Sequence, residues 1–272
     1  MNDLSKERLV AALRTTWDSL LDLCRSLDTG EWDAPTDCPG WTVRDHVAHI
    51  IGTESMLAGR DRPDVEVPPS DHVHNEIGEL NEVWVQAYRL RPVGDVVADL
   101  DAITTARAAE LEAMTPEDFA ADSWTPAGQS TYGRFMRIRV FDCWLHEQDI
   151  RRPLDRPGAL DGPAAELALD EVVAAMGYVV GKRGAAPEGS VVVLDITGPT
   201  ARTVNVQVDG RAAVVDEPSR PVTATVRLPL RHFMALAGGR IEAAPLLEAG
   251  TIELEGDAEL GRRVASNLAF TI

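Results

Sequence analysis

The chain has 272 residues, and its 44 acidic side chains outnumber its 26 Lys and Arg side chains to give a formal net charge of −18. A surface this acidic repels phosphate backbones and anionic lipids, which argues against nucleic-acid or membrane-surface binding as a main function. Hydrophobic residues make up 44% of the chain, enough for a folded core. No apolar run approaches the roughly 18 residues of a membrane helix, and the N-terminal sequence lacks the pattern of a signal peptide. We therefore expect a soluble, cytoplasmic protein.

The first half of the sequence predicts a series of helices. Apolar residues spaced three and four apart predict a helix over residues 4–28. Thr42, with Asp45 as its capping partner, begins a second helix that runs to about residue 59. Several long helices of this kind indicate an antiparallel helical bundle. Further helices are predicted at about 74–90, 93–114 and 130–150, with loops at 29–41, 60–73 and 115–129.

The sequence changes character near residue 153, where RRPLDRPGALDGP is rich in Pro and Gly and predicts a linker. A helix at about 163–182 follows. The β-branched runs SVVVLDIT, TVNVQVDG, RAAVV and PVTATVRL are then typical of strands. Helices at about 229–237 and 256–268 are predicted on either side of one more strand, TIELEG. We therefore predict a two-domain α+β protein, with a helical bundle over residues 1–155 and a small α+β domain over residues 156–272.

The three cysteines, Cys24, Cys38 and Cys143, lie far apart in the sequence. Their odd number and wide spacing argue against a disulfide framework and against a CxxC metal or redox motif. We expect reduced thiols, with Cys24 and Cys143 in the core and Cys38 partly exposed. No neighbouring residue marks Cys38 as a nucleophile.

The predicted helix at 130–150 is apolar around most of its circumference, so its polar side chains are informative. At about 100° per residue, Arg139, Asp142, His146 and Asp149 fall in one narrow sector. Asp142 and His146 lie one turn apart, a spacing that lets two helical residues bind one ion. Buried charges are costly unless they are paired or bound to a metal. A plain hydrogen-bonded pair has the same spacing, so the pair alone leaves both interpretations open.

The second helix offers a third metal ligand in His46 or His49, within TVRDHVAHI. Periodicity places His46 nearer the apolar face, which favours it as the buried residue, whereas His49 lies on a flanking face. An alternative is that one of these histidines satisfies a buried polar group and the other is solvated. His72 and His74 flank the acidic, Pro-rich loop, where we expect surface or lid residues.

Two segments resemble the mycothiol-dependent maleylpyruvate isomerase family, a branch of the DinB-like metal-binding bundles. They are CPGWTVRDHVAHI at 38–50 and RIRVFDCWLHEQDIRRPL at 137–154. The C-terminal half is similar to sterol-carrier-protein-like domains, so the resemblance covers almost the whole chain. It implies a DinB-like metal-binding bundle followed by a sterol-carrier-protein-like α+β domain.

The resemblance also implies a cofactor and a set of ligands. A divalent metal, most often zinc, would lie between the two helices and be bound by His49, Asp142 and His146. The resemblance thus favours His49 over His46. Where the family has Glu or His, this sequence has Asp142, which is shorter than Glu by one methylene. The second implied cofactor is mycothiol, a low-molecular-weight thiol.

The resemblance suggests a metal- and mycothiol-dependent isomerase or S-transferase, in which the metal activates the thiol for attack on a small electrophile. Asp149 would orient His146, and Arg139 would neutralise Asp142 or bind a substrate carboxylate; ordinary salt bridges are the alternative for both. The expected partners are the thiol and the electrophile, and the expected state is a monomer or homodimer. A non-catalytic metal- or ligand-binding module and a metal-dependent hydrolase are the alternative functions.

Overall fold

A computed structural model describes residues 5–271 of the chain. These residues divide between Gly158 and Ala159 into two structural units. The first unit is mainly helical, and the second combines a five-stranded sheet with helices, which confirms the predicted fold class. Within residues 5–271, no helix combines the length and the apolar content that crossing a bilayer requires.

Capping residues fix where the long helices of the first unit begin. The side chains of Ser5, Asn75 and Thr131 each accept a hydrogen bond from a backbone N–H in the first turn that follows. Thr42 and Asp45 form the predicted capping box. The helices are α1 (Lys6–Ser26), α2 (Val43–Leu57), α3 (Glu76–Tyr88), α4 (Val93–Ala113), α5 (Pro116–Ala120) and α6 (Tyr132–Arg151).

The four long helices α1, α2, α4 and α6 surround the core of the first unit. Helix α1 packs against α4 and α6, and α2 packs against α3, α4 and α6. Large apolar side chains fill the space between them, among them Trp17, Leu20, Ile50 and Trp144. The packing of α2 on α6 places the predicted histidines of α2 opposite the polar stripe of α6.

The segment 115–129, predicted as a loop, is largely ordered into secondary structure. Thr115 and Asp118 form a capping box that begins α5, with Pro116 in its first turn. A hairpin follows, in which β1 (Asp122–Thr125) pairs antiparallel with β2 (Gly128–Thr131). Gly128 has a φ of +100°, which its missing side chain permits. The last helix of the unit therefore begins at Tyr132, two residues after the predicted start at about residue 130.

A second local difference lies in the predicted loop 29–41, which contains a short 3₁₀ helix, Thr29–Asp33. Asp28 and Glu31 form a capping box at its start, a pairing of the kind that also begins α2 and α5. The rest of the segment connects to α2 through an isolated bridge between Pro35 and Thr42.

The second unit is built on a mixed sheet with strand order β5-β4-β3-β6-β7. Strands β3 and β6 are parallel, and the other neighbours are antiparallel. Helix α9 lies in a segment for which the sequence predicts no helix, and the predicted helix 163–182 changes to π-helical hydrogen bonding at Val179. The strands are β3 (Val191–Thr197), β4 (Arg202–Asp209), β5 (Arg211–Val215), β6 (Ala224–Pro229) and β7 (Glu253–Gly256). The helices are α7 (Gly162–Tyr178), α8 (Leu230–Ala237), α9 (Ala243–Glu248) and α10 (Ala258–Ala265).

The close approach of α2 and α3 depends on a glycine. A Cβ atom at Gly52 would lie 2.3 Å from Cγ of Trp84, so an added methyl group forces the indole or a helix to move. We expect Gly52→Ala to lower the free energy of unfolding of the first unit by about 1–3 kcal/mol. All six tryptophans lie in this unit, so urea denaturation followed by tryptophan fluorescence measures it selectively.

Gly94→Ala is the matched control for this substitution. Gly94 lies in the first turn of α4, and a Cβ there would meet no heavy atom of the described residues within 4 Å. We expect this variant to keep its stability or to gain up to about 1 kcal/mol from helix propensity. Equal losses in the two variants would contradict a specific role for the α2–α3 contact.

Candidate functional site

Helices α2 and α6 each contribute a pair of polar side chains to one region of the first unit. His46 and His49 are three residues apart on α2, and Asp142 and His146 are four residues apart on α6. These spacings place the members of each pair on one side of their helix. Both histidines of α2 are buried, so the interpretation in which one of them is solvated was wrong.

His49, Asp142 and His146 form the first group of potential metal ligands. The His49 Nε2 atom lies 3.1 Å from Asp142 Oδ2, and the His146 Nε2 atom lies 3.6 Å from Asp142 Oδ1. The donor atoms of the group all lie within 4.8 Å of one another. Ligands of tetrahedral zinc, bound at about 2.1 Å, are separated by about 3.4 Å. The donor set and its spacing therefore fit a divalent cation.

The protonation states of this group also suit a cation. Burial acts to raise the pKa of Asp142, but Arg139, followed by His49 and His146, lowers it well below the usual value. Burial lowers the pKa of His49 by more than the nearby Asp142 carboxylate raises it. At neutral pH the group thus offers a carboxylate and a neutral imidazole, the forms that bind metals.

Exposure within the group is uneven. His49 and His146 are buried, whereas 29% of the Asp142 side chain is accessible to solvent. The carboxylate is therefore the most solvent-accessible of the three potential ligands. Nδ1 of His49 is buried and has no hydrogen-bond partner among residues 5–271.

A buried network of alternating charges supports Asp142. Arg139 donates to Asp142 and, through its Nε–H, to Glu54 Oε1 at 3.0 Å. Glu54 also accepts a hydrogen bond from the Arg107 Nε–H at 3.2 Å. The structure thus places the predicted Arg139 beside Asp142. The sequence analysis did not assign a role to Glu54. The signal that could have identified it is that Glu54 is the single acidic residue in the apolar segment HVAHIIGTESML.

The predicted Asp149 lies at the other ring nitrogen of His146. Its Oδ2 atom is 3.3 Å from His146 Nδ1, and its Oδ1 atom accepts a hydrogen bond from Arg152 at 2.8 Å. Nδ1 of His46 also lies close, at 2.9 Å from His146 Nδ1, and His46 Nε2 contacts the Thr36 hydroxyl at 2.8 Å. His46 is therefore directed away from Asp142, and the geometry groups His49 with Asp142 and His146.

Trp41 packs against all three imidazoles. Its ring centroid lies 5.2 Å from that of His46, 5.5 Å from that of His49 and 5.7 Å from that of His146. The indole N–H donates to Oε1 of the buried Glu82 at 2.7 Å. Sequence reasoning did not assign a role to Trp41, although it lies inside the CPGW segment.

The two loop histidines lie outside this group. His72 is half-buried, and its Nε2 atom contacts Glu82 Oε1 at 2.9 Å. His74 is exposed. His72 thereby links the acidic loop to the same carboxylate that holds Trp41.

A helical bundle that brings two histidines and a carboxylate together between facing helices is the architecture of a metal-binding bundle. Family models agree with this class. The mycothiol maleylpyruvate isomerase N-terminal domain matches residues 13–151, and the C-terminal domain of the same family matches residues 166–263. The chain therefore belongs to the mycothiol maleylpyruvate isomerase family, which is named for an enzyme.

Two solved structures share the fold over most of the chain. A crystal structure of the mycothiol-dependent maleylpyruvate isomerase is 17% identical, covers 88% of this chain and 91% of its own, and has a TM-score of 0.57. A variant of that isomerase with one histidine replaced by alanine is 15% identical, covers 93% and 94%, and has a TM-score of 0.59. A search of curated protein sequences found no match to this chain.

One further solved structure matches a smaller part of the chain. Sterol carrier protein 2 from Yarrowia lipolytica covers 38% of this chain and 93% of its own, with 13% identity and a TM-score of 0.29. The similarity of the second unit to sterol-carrier-protein-like domains stays a prediction.

The charge network behind Asp142 predicts a large effect of Glu54→Gln. Loss of the carboxylate leaves two buried guanidinium groups, on Arg107 and Arg139, without their shared partner. We expect the free energy of unfolding of the first unit to fall by about 3–5 kcal/mol, measured by tryptophan fluorescence in urea. Glu110→Gln is the control, because that half-exposed carboxylate also pairs with Arg107. Its loss should cost less than about 1 kcal/mol, and equal costs would contradict the buried network.

Proposed function

We propose that this protein is a divalent-metal enzyme that uses mycothiol in the isomerisation of a small electrophile or in sulfur transfer to it. The observation that carries the proposal is the convergence of His49, Asp142 and His146. Structural zinc sites are closed by four protein ligands, whereas three protein ligands leave a position for an exogenous one. Family membership supports a thiol as that ligand.

The side chains of the first group are suited to hold zinc. Two imidazoles and a carboxylate are ligands that zinc accepts at a catalytic site. When bound, the metal supplies a positive charge that lowers the pKa of a thiol or water ligand and so provides a nucleophile at neutral pH. Arg139 keeps the Asp142 carboxylate ionised for this role.

Two protein thiols are poor candidates for the nucleophile. Burial raises the pKa of Cys143 to about 12, although Cys143 lies 3.2 Å from a nitrogen of Arg139. Burial likewise raises the pKa of Cys24 to about 12. Both side chains therefore stay protonated near neutral pH, and the reactive thiolate is the minor form. With these two thiols protonated, family membership supports an external thiol, mycothiol, as the nucleophile.

Asp149 acts as a positioning residue in this proposal. Its Oδ2 atom lies 3.3 Å from Nδ1 of His146, and a proton on that nitrogen would leave the Nε2 lone pair on the side of Asp142. Arg139 is occupied by Asp142 and Glu54, so its role is to neutralise buried carboxylates. The monomeric or homodimeric state and the cytoplasmic location stay predictions.

Removal of one ligand from each helix tests the metal assignment. We expect His49→Ala and Asp142→Ala to lower the zinc affinity of the first group by more than about tenfold, because each removes a donor atom. Equilibrium dialysis with metal analysis measures the affinity. Every protein compared carries Cys38→Ser, because Cys38, His46 and Asp149 form a neighbouring group of potential ligands around His146. His74→Ala, at an exposed loop position, is the control and should bind zinc as the wild type does. Wild-type affinity in His49→Ala would show that the ligand assignment is wrong.

Thiol dependence tests the proposed chemistry. We expect the zinc-loaded protein to convert electrophilic substrates such as activated cis-alkenes only when mycothiol is added, and His49→Ala to lose this turnover. The measurement is product formation with and without mycothiol over a panel of electrophiles. Turnover that needs no thiol would support a metal-dependent hydrolase instead. Metal binding without turnover across the panel would support the non-catalytic metal-binding alternative.

A further inference from the structure

A second group of metal-ligating atoms lies at the Nδ1 side of the His146 ring. It comprises Cys38, His46, His146 and Asp149, whose donor atoms all lie within 4.8 Å of one another. Asp149 Oδ2 is 3.6 Å from Cys38 Sγ, 3.3 Å from His146 Nδ1 and 4.0 Å from His46 Nδ1. Zinc bonds of about 2.0–2.3 Å place tetrahedral ligands about 3.3–3.8 Å apart. The separations from Asp149 are close to this range.

We propose that Cys38, His46, His146 and Asp149 form a second site, which binds a zinc-like divalent cation through one thiolate, two imidazoles and one carboxylate. Four protein ligands make this a closed site, in contrast to the three-ligand group around Asp142. A thiolate and two imidazoles select zinc or cobalt over magnesium and calcium, which require oxygen ligands. Cation binding releases the Cys38 thiol proton to solvent and forms the sulfur–metal bond.

The loop before α2 is held in the form that this site needs. The Thr36 hydroxyl contacts His46 Nε2 at 2.8 Å and accepts a hydrogen bond from the Cys38 backbone N–H at 3.2 Å. The Trp41 backbone N–H donates to the Cys38 carbonyl at 3.0 Å. One hydroxyl thus fixes both the cysteine and the ring orientation of the histidine, as groups around metal ligands commonly do.

Charge and burial support the same assignment. His46 and Asp149 are fully buried, and His146 is nearly so. The Arg152 guanidinium binds Asp149 Oδ1 at 2.8 Å, which leaves Oδ2 directed at Cys38 and the two imidazoles. Ionised Asp149 and Cys38 together carry two negative charges, which a divalent cation neutralises.

His146 belongs to both groups through opposite ring nitrogens. Nε2 faces Asp142, and Nδ1 faces Asp149. A neutral imidazole has one nitrogen lone pair, so a cation at the second site takes His146 from the first. We therefore expect the two sites to compete for His146. The His49→Ala variant, in which the first site has lost a ligand, is the best background in which to test the second site.

Cobalt(II) distinguishes the two sites because only the second supplies a protein thiolate. Cobalt is titrated into the metal-free full-length chain with a phosphine reductant and without added thiol. We expect a thiolate-to-cobalt charge-transfer band in the near ultraviolet for wild type and for His49→Ala. Cys38→Ser and His46→Ala should lower the cobalt affinity of the His49→Ala background more than tenfold, and Cys38→Ser should abolish the band. Cys24→Ser, at a buried thiol outside the group, should keep it.

Each outcome bears on one site. If neither wild type nor His49→Ala shows the band, or if Cys38→Ser retains it, the second site is disproved. If wild type binds cobalt without showing the band, and His49→Ala no longer binds cobalt, only the first site is supported. If His49→Ala shows the band and Asp142→Ala binds metal as the wild type does, the second site is supported and the first is contradicted. Tryptophan fluorescence confirms that each variant is folded, and His46→Ala provides a second variant if Cys38→Ser is not.

Discussion

The ion pair between Asp142 and Arg139 is the interaction on which the candidate site depends. Burial acts to raise the pKa of Asp142, and the neighbouring Arg139 guanidinium is the largest of the contributions that lower it instead, so it favours the anionic ligand of the first group. Arg139 is itself buried, and Glu54 offsets the cost of its burial while also binding Arg107. The charges alternate from Arg107 on α4 through Glu54 on α2 to Arg139 and Asp142 on α6. Asp142 then contacts the neutral His49 of α2. Three helices are thus held together by the same contacts that keep the carboxylate ionised.

The position of His146 follows from the periodicity of α6. Residues 142, 146 and 149 are spaced by four and three, so two carboxylates lie on either side of one imidazole along a single helix face. Each carboxylate contacts a different ring nitrogen. Carboxylates on both sides of His146 therefore fix the plane of its ring. Helix α2 adds His49 on the side of Asp142 and His46 on the side of Asp149.

The sequence was sufficient for the polar stripe of α6 and for the caps that position α2, because both depend on local spacing. It was insufficient to choose between His46 and His49, since both are buried and periodicity measures only burial. The choice depends on which carboxylate of α6 faces each ring, and the family resemblance selected His49 without that information. Glu54 and Cys38 were not assigned roles because their partners lie about 85 and 111 positions away in the sequence.

Where the family resemblance implies a Glu or His, this chain has Asp142, and this short acid fits the separation of α2 and α6. Asp142 Oδ2 already lies 3.1 Å from His49 Nε2, which is direct hydrogen-bonding distance. One additional methylene would lengthen the side chain by about 1.5 Å. A glutamate pointing in the same direction as Asp142 would therefore displace the His49 imidazole. The shorter carboxylate also stays within reach of Arg139, one turn earlier on the same helix. Aspartate at this position thus matches both the distance across the helices and the charge that keeps it ionised.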